Sequence, residues 1–229
     1  MALNRRLVLE GIGTYFLMLV IAVMTARGGS TLEASIAIGT VLLALVYSIG
    51  PHTWAHFNPG MSLAFWIRGT MPGREVVPYA LVQCLGAVLA VFTQWFLVTP
   101  IELDPVIAVS VAEPASSEAT GLSVGPLIIG ELLFTFALVF TTLHVATTRL
   151  QAGNQYFGLV VATIVVAGIL AMGPVASAVF NPAVQVGLWT MGLDGPWSGF
   201  LVIGSNLVGA SLAALVFKGV HGTTQDPVE

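Results

Sequence analysis

A chain of 229 residues that is 56% hydrophobic and only 8% charged, with a mean hydropathy of +0.94, cannot cover itself with polar surface. A soluble domain carries about a quarter of its residues charged, so lipid must be the solvent, and the length allows about six spans of roughly 20 apolar residues with short connections. The net charge of −4 comes with no basic patch for nucleic acid, and the single cysteine, Cys84, allows no internal disulfide. No zinc-type cluster, P-loop or GxGxxG occurs, and no nucleophile is set with a base at membrane depth, so neither an enzyme nor a cofactor is expected.

In chain order, apolar runs over 7–26, 34–51, 75–98, 126–147, 155–173 and 196–217 predict six spans. Runs over 59–68 and 182–191 are too short to cross and predict re-entrant segments, which survive at membrane depth only when buried in protein or lining a cavity. Asn4-Arg5-Arg6 ahead of the first run could open a signal peptide, but Glu10 interrupts that run and the run has a partner later in the chain, which favours a span. Arg5, Arg6, Arg68, Arg74, Arg149 and Lys218 fall on one side and only Arg27 on the other. The positive-inside rule then predicts both termini cytoplasmic, and the chain is expected to be a multi-pass plasma-membrane protein. The loop 99–125, with Glu102, Asp104, Glu113 and Glu118 and no basic residue, is expected outside.

The chain resembles itself at an offset of 123 residues. Gly50-Pro51, Phe57-Asn58-Pro59, Trp66 and Gly69 return as Gly173-Pro174, Phe180-Asn181-Pro182, Trp189 and Gly192, and Gly86-Ala87 returns as Gly209-Ala210. Nearer the front the offset is 121, with Glu10 and Thr14 matching Glu131 and Thr135. Each half holds three spans and one short segment. Three is odd, so the second half enters the bilayer upside down, which places the working site where the halves meet near the midplane. Repeat one covers about 7–98 and repeat two about 126–217 of one domain, 1–229.

Proline fits the first turn of a helix and asparagine caps it, so Asn58-Pro59 and Asn181-Pro182 each predict a helix start. The inversion brings the two starts head to head, each with roughly half an elementary charge of positive dipole. Facing one pore, they oppose cations, protons included, while an Asn N–H can replace a hydrogen bond that a neutral solute loses on leaving water.

His56-Phe57-Asn58-Pro59-Gly60 and Phe180-Asn181-Pro182-Ala183 resemble the paired Asn-Pro-Ala boxes of the aquaporin, or major intrinsic protein, family. Glu10-x-x-x-Thr14, Glu131-x-x-x-Thr135 and Pro78-Tyr79-x-x-x-Gln83-Cys84-Leu85-Gly86 are similar to its other signatures, and the resemblance covers about 7–217. It implies an all-α membrane protein of six transmembrane helices plus two re-entrant half-helices in an inverted 3+3 repeat, with a pore in each subunit of a homotetramer. It also implies a passive channel for water or small neutral solutes such as glycerol, urea, ammonia or hydrogen peroxide. The implied midplane is Asn58, Pro59 and Gly60 with Asn181, Pro182 and Ala183. The implied outer selectivity filter is Ile38, Ile169, Ala178 and Val184.

The chain departs from the family in three places. Gly60 replaces the alanine of the first box, which is expected to loosen the helix start and widen the midpoint. Val184 stands where an arginine is usual, which leaves the filter aliphatic. Gln185, about 100° further round the helix, does not substitute for that arginine. Trp54-Ala55 precedes His56 where small residues are usual, so Trp54 is expected to narrow an inner vestibule to which His56 contributes.

Glu10 and Glu131 read either as a proton relay or, by their symmetry, as carboxylates that hold the re-entrant loops. Gln83 and Asn206 read as interhelical hydrogen-bonders, Gly86 with Ala90 and Gly209 with Ala213 as close-packing pairs, and His144 as structural. Trp66 and Trp189 carry no transport role. An ion-coupled secondary transporter shares the inverted-repeat logic, and a proton- or cation-leaky channel is the alternative that the missing arginine raises.

Overall fold

The computed structural model describes residues 1–98, 124–193 and 195–222, and every described regular element is helical. The acidic loop expected outside lies beyond the described residues. In chain order the helices are α1 (Leu3–Ala26), α2 (Thr31–Ile49), α3 (Pro59–Arg68), α4 (Gly73–Leu97), α5 (Val124–Thr147), α6 (Phe157–Met172), α7 (Pro182–Thr190) and α8 (Pro196–His221), with a short 3-10 turn at Arg149–Gln151. Five of them, α1, α2, α4, α5 and α8, are long and apolar enough to cross a bilayer.

The sixth expected span, 155–173, is the shorter α6 of 16 residues. At about 1.5 Å per residue it is some 24 Å long, less than the ~30 Å hydrocarbon core. Gly173-Pro174 ends it at one side, and Tyr156, outside helical geometry, starts it at the other.

Local chemistry sets the helix ends. A capping box starts α2: the Glu33 backbone N–H donates to Ser30 Oγ, and Ser30 N–H donates to Glu33 Oε2 at 2.9 Å. In α3, Asn58 Oδ1 accepts from the Gly60 and Met61 backbone N–H groups ahead of Pro59, and Gly69 closes the helix at φ 91°, a left-handed turn that suits glycine. Asn181 Oδ1 accepts from Ala183 N–H at 2.9 Å in the same way. The boundaries 59–68 and 182–191 read from the sequence match Pro59–Arg68 and Pro182–Thr190 to within a residue.

Two helix pairs form the spine of the halves, α1 against α4 and α5 against α8. Glycine permits both. A Cβ on Gly86 would lie 2.3 Å from the Gly11 carbonyl oxygen, and one on Gly209 would lie 2.4 Å from the Leu132 carbonyl oxygen. Neither contact leaves room for any side chain. The halves interlock through α2 with α6, α3 with α8, and α4 with α7, so each short helix packs against the long helices of the opposite half.

The surface is inverted relative to a soluble protein. Val77, Leu81, Leu85, Leu89, Phe92 and Phe96 recur at helical spacing on the exposed face of α4, whereas Glu10, Thr14, Gln83, Glu131, Thr135 and Asn206 are fully buried. Where lipid is the solvent, apolar side chains face out and polar groups must find partners inside.

The side of the bundle that carries the start of α1 is called the near side below, and the opposite one the far side. On the near side Arg6 makes a two-pronged ion pair with Glu75, at 2.9 and 3.0 Å, that ties α1 to α4. There too His144 Nδ1 donates to the Phe140 carbonyl at 2.7 Å, which leaves its Nε2 to accept from His221 Nε2 at 3.0 Å. His144 thereby joins α5 to α8.

Candidate functional site

Each half folds one loop into the bundle. The near-side loop connects α2 to α3 and the far-side loop connects α6 to α7. Both are pinned by a carboxylate from a long helix. Glu10 on α1 accepts from Thr53 Oγ1 (2.8 Å), His56 N–H (3.1 Å), Phe57 N–H (2.9 Å) and Gln83 Nε2 (3.0 Å). Glu131 on α5 accepts from the Ser177 hydroxyl, Val179 N–H (2.7 Å), Phe180 N–H (2.8 Å) and Asn206 Nδ2 (2.7 Å). Successive backbone N–H groups on one carboxylate form an anion nest. Gln83 and Asn206 thus bond between helices.

The nests require unusual backbone. Ala55 and Phe57 have φ of 46° and 47°, and Ala178 and Phe180 have φ of 52° and 51°. A non-glycine residue in the left-handed region costs of order 1–2 kcal/mol, and backbone strain of this kind persists where surrounding contacts over-determine it. Here the nests and the buried Phe57 and Phe180 rings do so.

The tips of the loops meet. Asn58 Nδ2 donates to the Phe180 carbonyl at 2.9 Å, and Asn181 Nδ2 donates to the Phe57 carbonyl at 2.9 Å. Each Asn therefore caps its own helix with Oδ1 and clasps the opposite loop with one amide hydrogen. An amide nitrogen has two hydrogens, so one per residue remains for the space both side chains line.

That space is a cavity of about 680 Å³ that runs between the halves. Its far end is walled by Thr31, Ile38, Ile169, Ala178, Val184 and Leu188, its middle by Asn58 and Asn181, and its near end by Trp54, His56, Thr148, Arg149 and Asn154. Arg149 is the only charged side chain among the described lining residues. Ile38, Ile169, Ala178 and Val184 thus share one wall, as do Trp54 and His56 at the opposite end.

Two expectations need correction. Pro59, Gly60, Pro182 and Ala183 are buried and are not among the residues that line the cavity. They start the half-helices and pack into the fold. Gly60 does not widen the passage: a Cβ there would face α8, 3.4 Å from Ala210 Cβ, and press on Asn58 Oδ1 at 3.2 Å. Glycine at this position keeps the cap clear. Of the two readings of Glu10 and Glu131, the loop support is the one the hydrogen bonds match: both acids are off the wall, and both oxygens of each accept. That geometry is a loop clamp and not a proton relay. Gln185, expected not to replace the filter arginine, is fully buried and off the cavity wall.

Thr53, Ser62 and Ser177 gave no sequence signal. Thr53 and Ser177 supply hydroxyls to the two acids from positions out of register by one residue, which hid their equivalence. Ser62 Oγ lies 3.0 Å from His56 Nδ1 and orients that ring.

The family model for the major intrinsic protein matches residues 1–217. Aquaporin NIP1-1 of Zea mays is 33% identical over 189 residues, which cover 80% of this chain and 63% of the maize protein. This chain therefore spans less than two thirds of that plant relative's length. The probable aquaporin AqpM of Archaeoglobus fulgidus is 30% identical over 247 residues, 95% of this chain and 97% of the relative. Among solved structures, the X-ray structure of the aquaglyceroporin from Plasmodium falciparum has a TM-score of 0.83 at 17% identity, covering 96% of this chain and 98% of that one, a likeness of fold. With a family match that takes in both loops and an archaeal relative aligned almost end to end, this multi-pass membrane chain belongs to the major intrinsic protein family, whose aquaporins are channels and not enzymes.

Proposed function

We propose that the chain is a passive channel for water and small neutral solutes, glycerol, urea, ammonia and hydrogen peroxide being the sizes and chemistries that fit. The carrying observation is one cavity that joins an aliphatic far end, the two clasped asparagines and a near mouth. The half-helices start at Asn58 and Asn181, so their positive ends face the cavity middle and oppose cations. The remaining amide hydrogens meet an acceptor oxygen or nitrogen on a neutral solute.

In this reading Ile38, Ile169, Ala178 and Val184 form the outer filter. They offer no side-chain hydrogen bond and no fixed charge, so size alone selects there and cation exclusion rests on the midplane. Positive-inside bias supports a cytoplasmic near side with both termini there, and the reading takes the membrane to be the plasma membrane. A homotetramer, with one pore per subunit, is the assembly the family resemblance supports.

The test is stopped-flow light scattering on proteoliposomes, with water, glycerol and urea compared in one preparation and a pH-sensitive dye in parallel. The expected outcome is water and glycerol flux above empty vesicles, with no ion dependence and no added proton flux. Flux no faster than in empty vesicles for every solute would remove the channel reading.

A further inference from the structure

The two loops share Gly-Pro, Ala and Phe-Asn in register and differ at residues 52, 53, 54 and 56 against 175, 176, 177 and 179. The repeat register sets residue 54 opposite residue 177. Ser177 is buried and spends its hydroxyl on Glu131. In the near-side loop that duty has moved back one residue. Thr53 donates to Glu10 at 2.8 Å, and its hydroxyl oxygen also accepts from Ala55 N–H at 2.8 Å. Residue 54 is therefore released from holding the carboxylate, and the chain places there the one tryptophan on the cavity wall.

Trp54 is 37% exposed and lines the near mouth. Its ring stacks over His56, with centroids 6.1 Å apart at 23°, and meets Phe65 edge-on at 5.7 Å. No hydrogen bond to a described residue holds the indole N–H. Beneath it His56, 5% exposed, has Nδ1 occupied by Ser62 while Nε2 is buried with no partner. A buried polar atom without a partner is rare and asks for a ligand or water. The near mouth thus sets a large flat ring beside the polar side chains of Thr148, Arg149 and Asn154. At the far end Ile38, Ile169, Ala178 and Val184 are all aliphatic.

We propose that Trp54 is a specificity-determining residue of this channel, limiting the near mouth to compact solutes. The inference rests on the channel reading above. Trp54 carries the largest side chain among the residues that line the two ends, so the near mouth adds a size limit to that of the far end.

The experiment reconstitutes wild type, Trp54→Ala, Trp54→Ser and Trp54→Phe, with Trp197→Ala, an exposed tryptophan on α8, as control. Water and glycerol permeability are read from the same vesicles. Trp54→Ser gives the position the residue found at 177. Both small variants are expected to raise glycerol permeability by about threefold or more with water changing less than about twofold, a modest effect for opening an apolar contact. Trp54→Phe, which keeps an aromatic ring against Phe65, raises the ratio by a smaller factor, and Trp197→Ala leaves it unchanged. A glycerol-to-water ratio equal to wild type in the Trp54 variants overturns the inference while the channel reading stands. A wild type that passes neither solute above empty vesicles sinks both.

Discussion

At Glu10 and Glu131, four donors converge on each buried carboxylate, and two of each set are backbone N–H groups of a strained loop. Truncation would orphan all four at once. With roughly 1–3 kcal/mol for each buried donor left unpaired, and some recovered by relaxation, Glu131→Ala is expected to cost about 4 kcal/mol or to prevent accumulation of folded protein. Glu131→Gln, which keeps one acceptor oxygen, should lose less. Thermal unfolding in detergent with the two variants side by side checks the order, and equal losses would show that the loop does not depend on acceptor count. Val184 tests the far end. Val184→Arg adds bulk and a charge where the wall is aliphatic and is expected to lower glycerol flux more than water flux. Equal reductions of both in the proteoliposome assay would remove Val184 from the filter.

At the scale of elements, the helix pairs α1–α4 and α5–α8 are held at a separation only glycine permits. A methyl on Gly86 would sit 2.3 Å from backbone oxygen, which cannot rotate away as a side chain can. Gly86→Ala is therefore expected to push α1 from α4 at a cost of about 1–3 kcal/mol, and Gly209→Ala to do the same to α5 and α8. Gly204→Ala, on α8 with open space around its Cβ position, is the control that should leave the melting temperature within a degree or two. A loss at Gly204 equal to that at Gly209 would show that close packing is not what the Gly209 change disturbs, since alanine favours the helix backbone over glycine. The short α6 belongs here too. Its 16 residues span less than the bilayer because Gly173-Pro174 turns the chain inward early, which brings the far-side loop to its depth.

At the scale of the molecule, the halves are tied at their centre by two reciprocal bonds, Asn58 to Phe180 and Asn181 to Phe57. Each Asn also caps its helix, so Asn58→Ala should cost about 2–4 kcal/mol, a cap worth about 1 plus an orphaned carbonyl. The two bonds share one junction. Asn58→Ala with Asn181→Ala is expected to cost less than the sum of the single changes, since the first already parts the loops. Strict additivity in denaturant unfolding would show that the clasps act independently. Because the same residues sit at the cavity middle, these variants should also raise proton flux in the dye assay.

How much was legible follows from range. Hydropathy, the self-similarity at 123 residues and the paired Asn-Pro helix starts are local or internal comparisons, and they yielded the membrane setting, the element order and the inverted halves. Asn-Pro marks a helix start because capping and proline geometry are satisfied within four residues. The direction of Gly60's missing side chain, the left-handed Ala55, Phe57, Ala178 and Phe180, and the hydroxyls of Thr53 and Ser177 carried no such mark. An alanine or phenylalanine adopts positive φ only when distant groups compel it, here carboxylates 43 to 49 residues away along the chain. Sequence alone thus determined that the chain lives in lipid as two opposed halves with capped stubs. Tertiary structure alone decided which side chains face the cavity, because that depends on the exchange of hydrogen bonds between segments that meet only when both halves are folded.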